Sequence, residues 1–400
     1  MTQTAFWSRL STRADIAIIG AGIMGSALAY WLTRLEPTAS VVVIERDPGY
    51  ARASSALSAA SIRQQFTTPV NISISQSSIE FLRASGELLA VDEWKPDIGL
   101  IEAGYLYLAN EGSGLQALRQ AHAIQTQHGA DVALLAAPEL AERFPWLRTA
   151  DVLAGSLGLR GEGWFDGYSL LTALARKARS QGARFVRGEV TGVRTVGRRV
   201  EAVVLGDGSR LPCGSLINAA GPWARAVGRL AGVELPVFAR RRTVYVIACR
   251  TRMAAFPLLI DPSGFWVRPE GNGFIAGLAP VEDPDDAPLE PDYEAFESVL
   301  WPALAARVPA FEAAKLERAW AGYYEMNVFD HNGIVGLHPE IANLGFMNGF
   351  SGHGMQQGPV VGRGMAELIL HGHFTTLDLS ALGIERIAAQ RPLRELNVIG

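Results

Sequence analysis

The first 45 residues alternate between short apolar runs and glycine-rich breaks. Residues 15–19 and 41–44 are apolar and are bounded by glycine or polar residues, which is typical of buried parallel strands. Residues 26–35 between them have the pattern of a helix. The pattern therefore predicts a strand–helix–strand unit, with Glu45 directly after the second strand.

The turn between the first strand and the helix reads G-A-G-I-M-G, with Gly20, Gly22 and Gly25 at the glycine positions of a G-x-G-x-x-G motif. Such a turn lets the backbone approach a pyrophosphate, whose charge is favoured at the N-terminus of the following helix. Glu45 lies 20 residues past Gly25, where a carboxylate accepts hydrogen bonds from ribose hydroxyls. Together these features predict a dinucleotide site; a strand–helix–strand unit without a ligand is the alternative.

Residues 16–32 contain no charged side chain, and their number is at the low end of the about 17–25 that a membrane span needs. A span would be one continuous helix, whereas three glycines interrupt this run where strand should change to helix. Arg9 and Arg13 precede the run, but nothing that resembles the cleavage site of a secretory signal follows. We therefore expect a soluble unit and no transmembrane segment.

Similar patterns recur further along the chain. Residues 168–180 read as a helix, a strand begins at Arg184, and residues 206–208, G-D-G, mark a hairpin turn. The apolar strand 215–218 ends in the small residues of A-A-G-P-W at 219–223. This ending leaves bare backbone at the carboxyl edge of a sheet, where ligands bind in such folds.

A second glycine-dense stretch, G-F-S-G-H-G-M-Q-Q-G at residues 349–358, lies near the other end of the chain. Glycine in excess marks backbone with positive φ, or backbone that closely approaches another group. An amphipathic helix is predicted directly afterwards, over residues 360–370. The two glycine-dense stretches suggest two walls of one site, with a plain strand-to-helix loop as the alternative.

Two segments carry no such motif, residues 97–150 and 237–325. Strand-like runs recur in them, namely GYLYLA, RTVYVIAC, GFWVRP and GFIAGLAP, and we expect these runs to pair into one mostly antiparallel sheet. The predicted fold class is therefore α/β: a Rossmann-like domain of residues 1–96, 151–236 and 326–400, interleaved with an α+β substrate domain. The proline-rich acidic run 282–292 is interpreted as a solvated loop.

Charge and cysteine content narrow the classes of partner. The chain has 36 basic and 40 acidic residues and a net charge of −4, which argues against nucleic acid and an anionic membrane surface as partners. Its two cysteines, Cys213 and Cys249, show no metal-ligand or redox spacing. No metal site is therefore predicted, and a reducing, cytoplasmic compartment is the default expectation.

The residues after the second strand bear on which dinucleotide is bound. Glu45 disfavours a phosphate on the ribose and hence NADP. Residues 51–66, ARASSALSAASIRQQF, are rich in small and hydroxyl side chains. Small side chains let backbone amides approach a large flat ligand, and hydroxyls can bond a pyrophosphate. A serine-rich surface loop is the alternative.

Together the motifs resemble those of the amine-oxidising branch of the D-amino acid oxidase superfamily, which includes sarcosine oxidase, glycine oxidase, and sarcosine and dimethylglycine dehydrogenases. The glycine motif alone is widespread, whereas the full set in this order is specific. The matching segments are IIGAGIMGSALAYWL with VIER, SSALSAASIRQQF, GWFDGYSLLTAL, INAAGPWA and NGFSGHGMQQGPVVGRGMAEL. The resemblance implies FAD as the cofactor of the Rossmann-like domain.

The resemblance also implies roles for individual residues. The first glycine motif would line the pyrophosphate, the hydroxyl-rich run would follow the ribityl chain, and the second glycine stretch would lie under the isoalloxazine ring. The helix after that stretch would favour the negative charge of the reduced ring by about 0.3–1 kcal/mol, or up to about 2 when partly buried. The implied cofactor-binding residues are Gly20, Gly22, Ile23, Met24, Gly25, Glu45, Arg46, Ser54, Ser55, Ser58, Ala59, Ala60, Ser61, Val190, Ala220, Gly221, Trp223, Gly352, His353, Gly354, Met355 and Gln356.

An amino-acid substrate needs a group that holds its carboxylate, and arginine does so through two parallel hydrogen bonds. Arg63 is the first candidate, because it matches the carboxylate-binding arginine of sarcosine oxidases in an I-R-x-x-F motif; a structural arginine is the alternative. Arg242 is a weaker candidate, since strand alternation leaves Arg241 equally able to face inward. The other candidates are Tyr324 and Tyr323 as residues over the ring, Trp266 as an apolar or cation-binding wall, and His353 as a ring-positioning or proton-transfer residue.

Departures from the family pattern alter the expected chemistry. Gln356 stands where sarcosine oxidase has a lysine that helps hold the carboxylate, and Ile275 where another lysine assists oxygen. The loss of that second cation removes electrostatic help for superoxide formation, so a dehydrogenase or a slow oxidase is expected. Relatives attach flavin covalently through a cysteine in the segment matching WAGYYEMN or a histidine in that matching SSALSAAS. This chain has neither, so FAD is expected to be bound non-covalently.

Three functions remain open. The favoured one is oxidation of the C–N bond of a secondary or N-alkyl, sarcosine-like amino acid. Hydride would pass to flavin N5, the imine would hydrolyse in water, and oxygen or a redox carrier would accept the electrons. The second is an FAD-dependent 2-hydroxy-acid dehydrogenase or oxidase. The third, which the resemblance also allows, is a flavoprotein that acts mainly as a partner-binding assembly factor.

Overall fold

A computed structural model describes residues 12–397 of the chain. Arg9 and the rest of the segment before Thr12 lie outside the described residues. The strands within the described range are β1 (Ala14–Ile19), β2 (Val41–Glu45), β3 (Ser61–Ile62), β4 (Tyr105–Ala109), β5 (Val132–Ala136), β6 (Ala154–Gly158), β7 (Gly163–Trp164), β8 (Arg184–Arg187), β9 (Val190–Val196), β10 (Arg199–Leu205), β11 (Arg210–Asn218), β12 (Val237–Ala248), β13 (Leu258–Ile260), β14 (Phe265–Glu270), β15 (Gly273–Leu278), β16 (Lys315–Asn327), β17 (Ile334–Leu337) and β18 (Leu344–Asn348).

Helices cover both sheets and fill the connections between strands. The α-helices of the described range are α1 (Ile23–Leu35), α2 (Ser54–Leu57), α3 (Pro69–Arg83), α4 (Ser85–Leu88), α5 (Gly112–Gln127), α6 (Ala137–Arg143), α7 (Gly167–Ser180), α8 (Ala224–Leu230), α9 (Tyr293–Ala295), α10 (Trp301–Arg307), α11 (Gly354–His371) and α12 (Glu385–Ala388). None of them is both long enough and apolar enough to cross a membrane.

The first sheet has the strand order β17-β18-β11-β1-β2-β8, and all of its neighbours on this path except β17 and β18 run parallel. In its centre Ile19 pairs with Ile44 on one side and with Asn218 on the other. The carboxyl ends of β1, β2 and β11 therefore lie side by side. The glycine motif, Glu45 and the A-A-G-P-W segment meet at this edge, as the sequence pattern predicts.

The second sheet has the order β16-β12-β15-β14-β13-β4-β6-β5 and is antiparallel except where β13 pairs with β4. It contains all four strand-like runs expected to form it, which confirms the predicted α/β class with a mostly antiparallel second sheet. Residues 154–158, which follow the predicted boundary at 150, also pair in this sheet. The domain limits themselves stay a prediction.

The last long helix begins earlier than its pattern predicts, at Gly354 instead of residue 360. Glycine has low helix propensity, but packing of an apolar face outweighs propensity in a folded protein. A Cβ on Gly358 would lie 2.7 Å from Ile23 Cγ1, and one on Gly362 would lie 2.8 Å from the Ala27 carbonyl carbon. These two glycines therefore let α11 pack directly on α1.

Glu367 joins the end of α11 to the segment that follows it. Its carboxylate is 2% exposed and accepts hydrogen bonds from the backbone N–H groups of Thr375 and Thr376, both at 2.9 Å, and from Arg363 Nε at 2.9 Å. Burial raises the pKa of Glu367, but the bonds from Thr376, Thr375 and Arg363 outweigh burial and lower it to about 2. The ionised carboxylate is therefore the form that the fold binds.

We expect Glu367→Gln to lower the free energy of unfolding by about 1–3 kcal/mol, because a bonded buried carboxylate is replaced by a neutral amide. The folded-state pKa lies below the ordinary value of 4.5, so the contribution is complete above about pH 4.5 and is lost as pH falls towards 2. Urea unfolding of both proteins at pH 7 and at pH 3 measures the difference in the free energy of unfolding. The exposed Glu312→Gln serves as control, and an equal effect at both pH values would contradict the expectation.

Candidate active site

Two cavities meet between the sheets. The carboxyl-edge cavity is lined by the glycine motif, Glu45, Val190 and Trp223, among others. The intersheet cavity is lined by the hydroxyl-rich run, by Arg63, and by residues of β12, β14 and β16. Four residues line both cavities, namely Ile23, Ser54, Ser55 and Glu325. The two cavities are therefore one elongated cleft, as expected for a dinucleotide linked to a flat ring.

The first glycine turn is built so closely that two of its glycines cannot carry a side chain. Gly20 has φ +101°, and a Cβ there would lie 2.4 Å from the Ala219 carbonyl oxygen. A Cβ on Gly25 would lie 1.9 Å from the Gly20 carbonyl oxygen. Gly25 does not line the cleft but holds the start of α1 against β1, whereas Gly20 and Gly22 both expose backbone to the carboxyl-edge cavity.

Glu45 fixes the same turn from the neighbouring strand. Its carboxylate accepts hydrogen bonds from the backbone N–H of Ala21 at 2.8 Å and of Asp47 at 2.9 Å. Burial raises the pKa of Glu45, and these two amides oppose the rise. Each carboxylate oxygen has a further lone pair, so the group can still accept from the hydroxyls of a ribose.

Arginine and tryptophan side chains form the outer wall of the carboxyl-edge cavity. The guanidinium carbon of Arg46 lies 3.9 Å from the centre of a Trp223 ring, and that of Arg52 lies 5.7 Å from it. Both arginines line the cavity. Arg52, which the sequence patterns did not indicate, adds a positive charge that suits the phosphates of a dinucleotide.

The second glycine-dense stretch lines the intersheet cavity only with Gly352 to Met355. Gly352 has φ +91°, and a Cβ there would lie 2.6 Å from Tyr324 Cε2. His353 is 2% exposed, and its ring packs edge-on against that of Phe66, with the ring centres 5.0 Å apart. Its Nε2 atom has no partner among the described residues. Burial, with Arg63 nearby, lowers the pKa of His353 well below its ordinary value, so the ring is neutral at physiological pH.

The side chain of Gln356 points towards Arg63 and not into either cavity. Its side-chain carbonyl accepts a hydrogen bond from the backbone N–H of Arg63 at 2.9 Å, and the residue is 2% exposed. It lines neither cavity. The first turn of α11 directs this side chain towards β3 and α3, which does not favour the predicted place of Gln356 beneath the flavin ring; that place stays a prediction.

Arg63 is a buried cation on the wall of the intersheet cavity. It is 4% exposed, its guanidinium carbon lies 4.4 Å from the centre of the Phe66 ring, and it forms no ion pair with any described residue. One terminal N–H donates to the Asn397 carbonyl, while Nε has no partner in the described part of the chain. The carboxylates of Glu395 and Glu162 help to keep Arg63 charged without forming an ion pair with it. Its unpaired Nε therefore fits an added carboxylate ligand.

The C-terminal segment, residues 395–397, orients Arg63. Glu395 is 1% exposed and accepts hydrogen bonds from the backbone N–H groups of Thr67 and Thr68 at 2.9 Å and 3.1 Å. The Asn397 side chain donates to the Gln65 carbonyl at 2.9 Å, which places its own carbonyl at Arg63. This contact spans 334 residues of sequence, and no local pattern predicts it.

Arg242 and Arg241 face opposite sides of β12, so only Arg242 can contact a ligand in the intersheet cavity. Arg242 lines the intersheet cavity and forms a two-bond ion pair with Asp283, at 2.8 and 3.0 Å. Arg241 donates to the carbonyls of Pro288 and Glu290. Because Arg242 is neutralised by Asp283, it is a poorer carboxylate ligand than Arg63. The acidic run 282–292 is therefore not only a solvated loop, since it contributes this partner.

The roof of the cavity comes from the second sheet. Tyr324, Tyr323 and Trp266 all line it, while their place over the flavin ring stays a prediction. The hydroxyl of Tyr323 donates to the Ala287 carbonyl at 2.7 Å. Ile275 is 2% exposed and packs in an apolar cluster with Trp266. Ile275 pairs with Arg268 on the neighbouring strand β14. The guanidinium of Arg268 donates to the Ala59 carbonyl at 2.7 Å. Arg268 is also paired with Glu270 and lines neither cavity, so the expected loss of electrostatic help for superoxide formation stays a prediction.

Several buried polar atoms of the cleft have no partner among residues 12–397, and they test whether FAD fits. These atoms are Ser54 Oγ and Glu325 Oε2 where the cavities meet, and Arg63 Nε and His353 Nε2 in the intersheet cavity. Unpaired buried polar atoms are rare and mark a missing partner. A glycine turn at a helix N-terminus, an acid for a ribose and unpaired donors and acceptors along the cleft fit a flavin dinucleotide. Glu325 carries no motif, and the sequence patterns did not indicate it.

Comparison with known proteins agrees with this geometry. The family model described as FAD dependent oxidoreductase (DAO) matches residues 15–368. FAD-dependent oxidoreductase domain-containing protein 1 of Xenopus laevis is 43% identical, over 97% of this chain and 85% of that protein. Human mitochondrial sarcosine dehydrogenase is 27% identical, over 91% of this chain and 40% of that protein. The solved L-proline dehydrogenase of P. horikoshii superposes with a TM-score of 0.85 and 26% identity, over 96% of this chain and all of that one. The chain therefore belongs to the DAO family of FAD-dependent oxidoreductases.

Proposed function

We propose that the protein oxidises the C–N bond of a secondary or N-alkyl amino acid. The observation that carries the proposal is Arg63, a buried cation that forms no ion pair with a described residue and lies on the wall of the intersheet cavity. The names of two similar proteins, sarcosine dehydrogenase and L-proline dehydrogenase, refer to amino acids with a secondary amine. Both substrates carry the carboxylate that Arg63 would bind.

Arg63 would bind that carboxylate through the N–H groups that its contact with Asn397 leaves available. The ring of Phe66 and the Asn397 carbonyl restrict the guanidinium, so less conformational freedom is lost when the substrate binds. This contact fixes one end of the substrate, so the amine end and its C–H bond are directed along the cavity towards Gly352 and Tyr324.

FAD, when bound, supplies the electron acceptor for the C–H bond. The residues of this chain would orient the substrate and exclude water from it. Apolar walls over the cavity are formed by Trp266, Val244, Leu258 and Tyr324. Apolar walls favour the neutral form of the amine, whose nitrogen lone pair assists the loss of hydride. His353 is neutral, so it can accept a hydrogen bond from the amine at Nε2 without adding a positive charge.

The test is anaerobic mixing of the purified holoprotein with a panel of small molecules while the flavin absorbance is followed. The panel contains sarcosine, L-proline, N-methyl-L-alanine, glycine and L-lactate. We expect loss of the oxidised-flavin band with at least one secondary amino acid and none with lactate. Reduction by lactate alone would replace the proposal with 2-hydroxy-acid oxidation. No reduction by any compound, with flavin fully bound, would favour a flavoprotein that acts mainly by binding a partner.

A further inference from the structure

The place where the two cavities meet contains an acid that no motif accounts for. Glu325 lies on β16 and lines both cavities, as do Ile23, Ser54 and Ser55. The Oγ of Ser55 already accepts a hydrogen bond from the backbone N–H of Ile23 at 2.9 Å. Ser54 Oγ and Glu325 Oε2 are buried and have no partner among the described residues. Two unsatisfied polar atoms therefore face the same short section of the cleft.

The two oxygens of Glu325 have different surroundings. The backbone amides of Gly349 and Phe350 are near enough to the carboxylate to lower its pKa, which places Glu325 beside the second glycine-dense stretch. A Cβ built on Gly354 would lie 3.5 Å from Oε1, and one on Gly221 would lie 3.8 Å from Oε2. The unpaired Oε2 therefore lies on the side of the A-A-G-P-W segment, between the nucleotide end and the ring end of the cleft.

We propose that Glu325 and Ser54 bind the hydroxyl groups of the ribityl chain of FAD, the linker between its pyrophosphate and its ring. A dinucleotide in the carboxyl-edge cavity can reach the intersheet cavity only past the four residues that line both. The part of FAD that joins those two ends is a chain of hydroxyl-bearing carbons. This inference depends on the cofactor alone and holds whatever the substrate is.

The chemistry of the two groups suits hydroxyls better than phosphate or an apolar ring. Glu325 forms no ion pair with a described residue, so an anionic ligand at Oε2 would meet a carboxylate without compensation. Burial raises the pKa of Glu325 to about 7, and the amides of Gly349 and Phe350 oppose the rise. A hydroxyl can donate to the carboxylate or accept from the carboxylic acid, so it satisfies either form.

The first test compares the rate at which flavin leaves the holoprotein, measured by the rise of flavin fluorescence after dilution. We expect Glu325→Leu to release FAD at least about tenfold faster, because it removes the buried acceptor. Glu325→Gln keeps an acceptor oxygen and should stay within about threefold of the unchanged protein. The control is Glu317→Leu, an exposed position on the same strand. Equal release from Glu325→Leu and the control would overturn the proposal.

The second test separates contact with FAD from support of the glycine-dense stretch. The holoprotein is incubated with FAD analogues that lack the 2′-, 3′- or 4′-hydroxyl, and the exchange equilibrium gives their affinity relative to FAD. In the unchanged protein, we expect at least one analogue to have an affinity at least about fivefold lower than that of FAD. In Glu325→Leu or Ser54→Ala, the same analogue should bind about as well as FAD does. The same loss of affinity in all variants would show that Glu325 only supports residues 349–350, and would overturn the proposal.

Discussion

Gly25→Ala is expected to yield a protein without FAD and with severely reduced stability. The added Cβ would lie 1.9 Å from the Gly20 carbonyl oxygen and 3.2 Å from Ile18 Cγ2. The first neighbour is backbone, so the turn itself must move. Because Glu45 bonds the same turn at Ala21, the displacement would also disturb the ribose end of the cleft. We expect a loss of about 3–5 kcal/mol in the free energy of unfolding.

Flavin content after purification and urea unfolding measure this effect. Gly112→Ala is the matched control, because a Cβ there meets nothing within 4 Å and the position starts an exposed helix. We expect the control to retain FAD and the stability of the unchanged protein. If Gly25→Ala were purified with a full complement of FAD and normal stability, the close approach between the turn and α1 would not be essential for the cofactor site.

Arg63→Met is expected to lower kcat/KM for the carboxylated substrate by about 10²–10³-fold. A hydrogen bond to a charged group is worth about 1.5–3 kcal/mol, and two such bonds to a carboxylate would account for a loss of this size. Arg63→Lys keeps the charge but not the two-pronged geometry, so it should recover only part of the activity. Flavin content should change little, because Arg63 does not line the carboxyl-edge cavity, which would hold the nucleotide half of FAD.

The comparison that isolates the carboxylate uses the amine of the same substrate without its carboxyl group, for example pyrrolidine beside L-proline. The two amines should differ strongly in the unchanged protein and little in Arg63→Met. Arg241→Met, one residue before Arg242 on β12 but directed away from the cavity, is the control and should leave both amines unaffected. An equal loss for both amines in Arg63→Met would mean that Arg63 maintains structure and does not bind the carboxylate.

The nucleotide end of the cleft was predictable because its signals are local. The turn, α1 and β2 follow each other within the 26 residues from Gly20 to Glu45, and Glu45 ends the second strand as its apolar run indicates. The second sheet was predictable as a set of apolar strands. Its strand order was not, since β16 pairs with β12 across a long excursion of the chain. Which of Arg241 and Arg242 faces the cavity could not be decided by alternation alone, because both are arginines in one strand.

The parts that sequence reasoning missed depend on contacts between distant segments. Glu325 stands in a strand, Y-Y-E-M-N, where nothing marks an acid as buried. Asn397 reaches Arg63 only because Glu395 binds the residues before α3. Helix α11 starts six residues before its apolar pattern because tertiary packing compensates for its glycines. The substrate, the electron acceptor and the cytoplasmic compartment stay predictions, since no local or tertiary feature of the described residues determines them.

Because α11 packs closely on α1, the FAD site can be completed only after α11 has been synthesised. The motif that binds the nucleotide is translated well before α11, yet its helix packs on Gly358 and Gly362 of α11, and its strand pairs with β11. Domains form as cooperative units once their segments have emerged. The nascent chain therefore has no completed flavin site until about residue 371 has been translated, and FAD binding follows the synthesis of α11. A ribosome-stalled chain ending near residue 340 should remain colourless even in excess flavin.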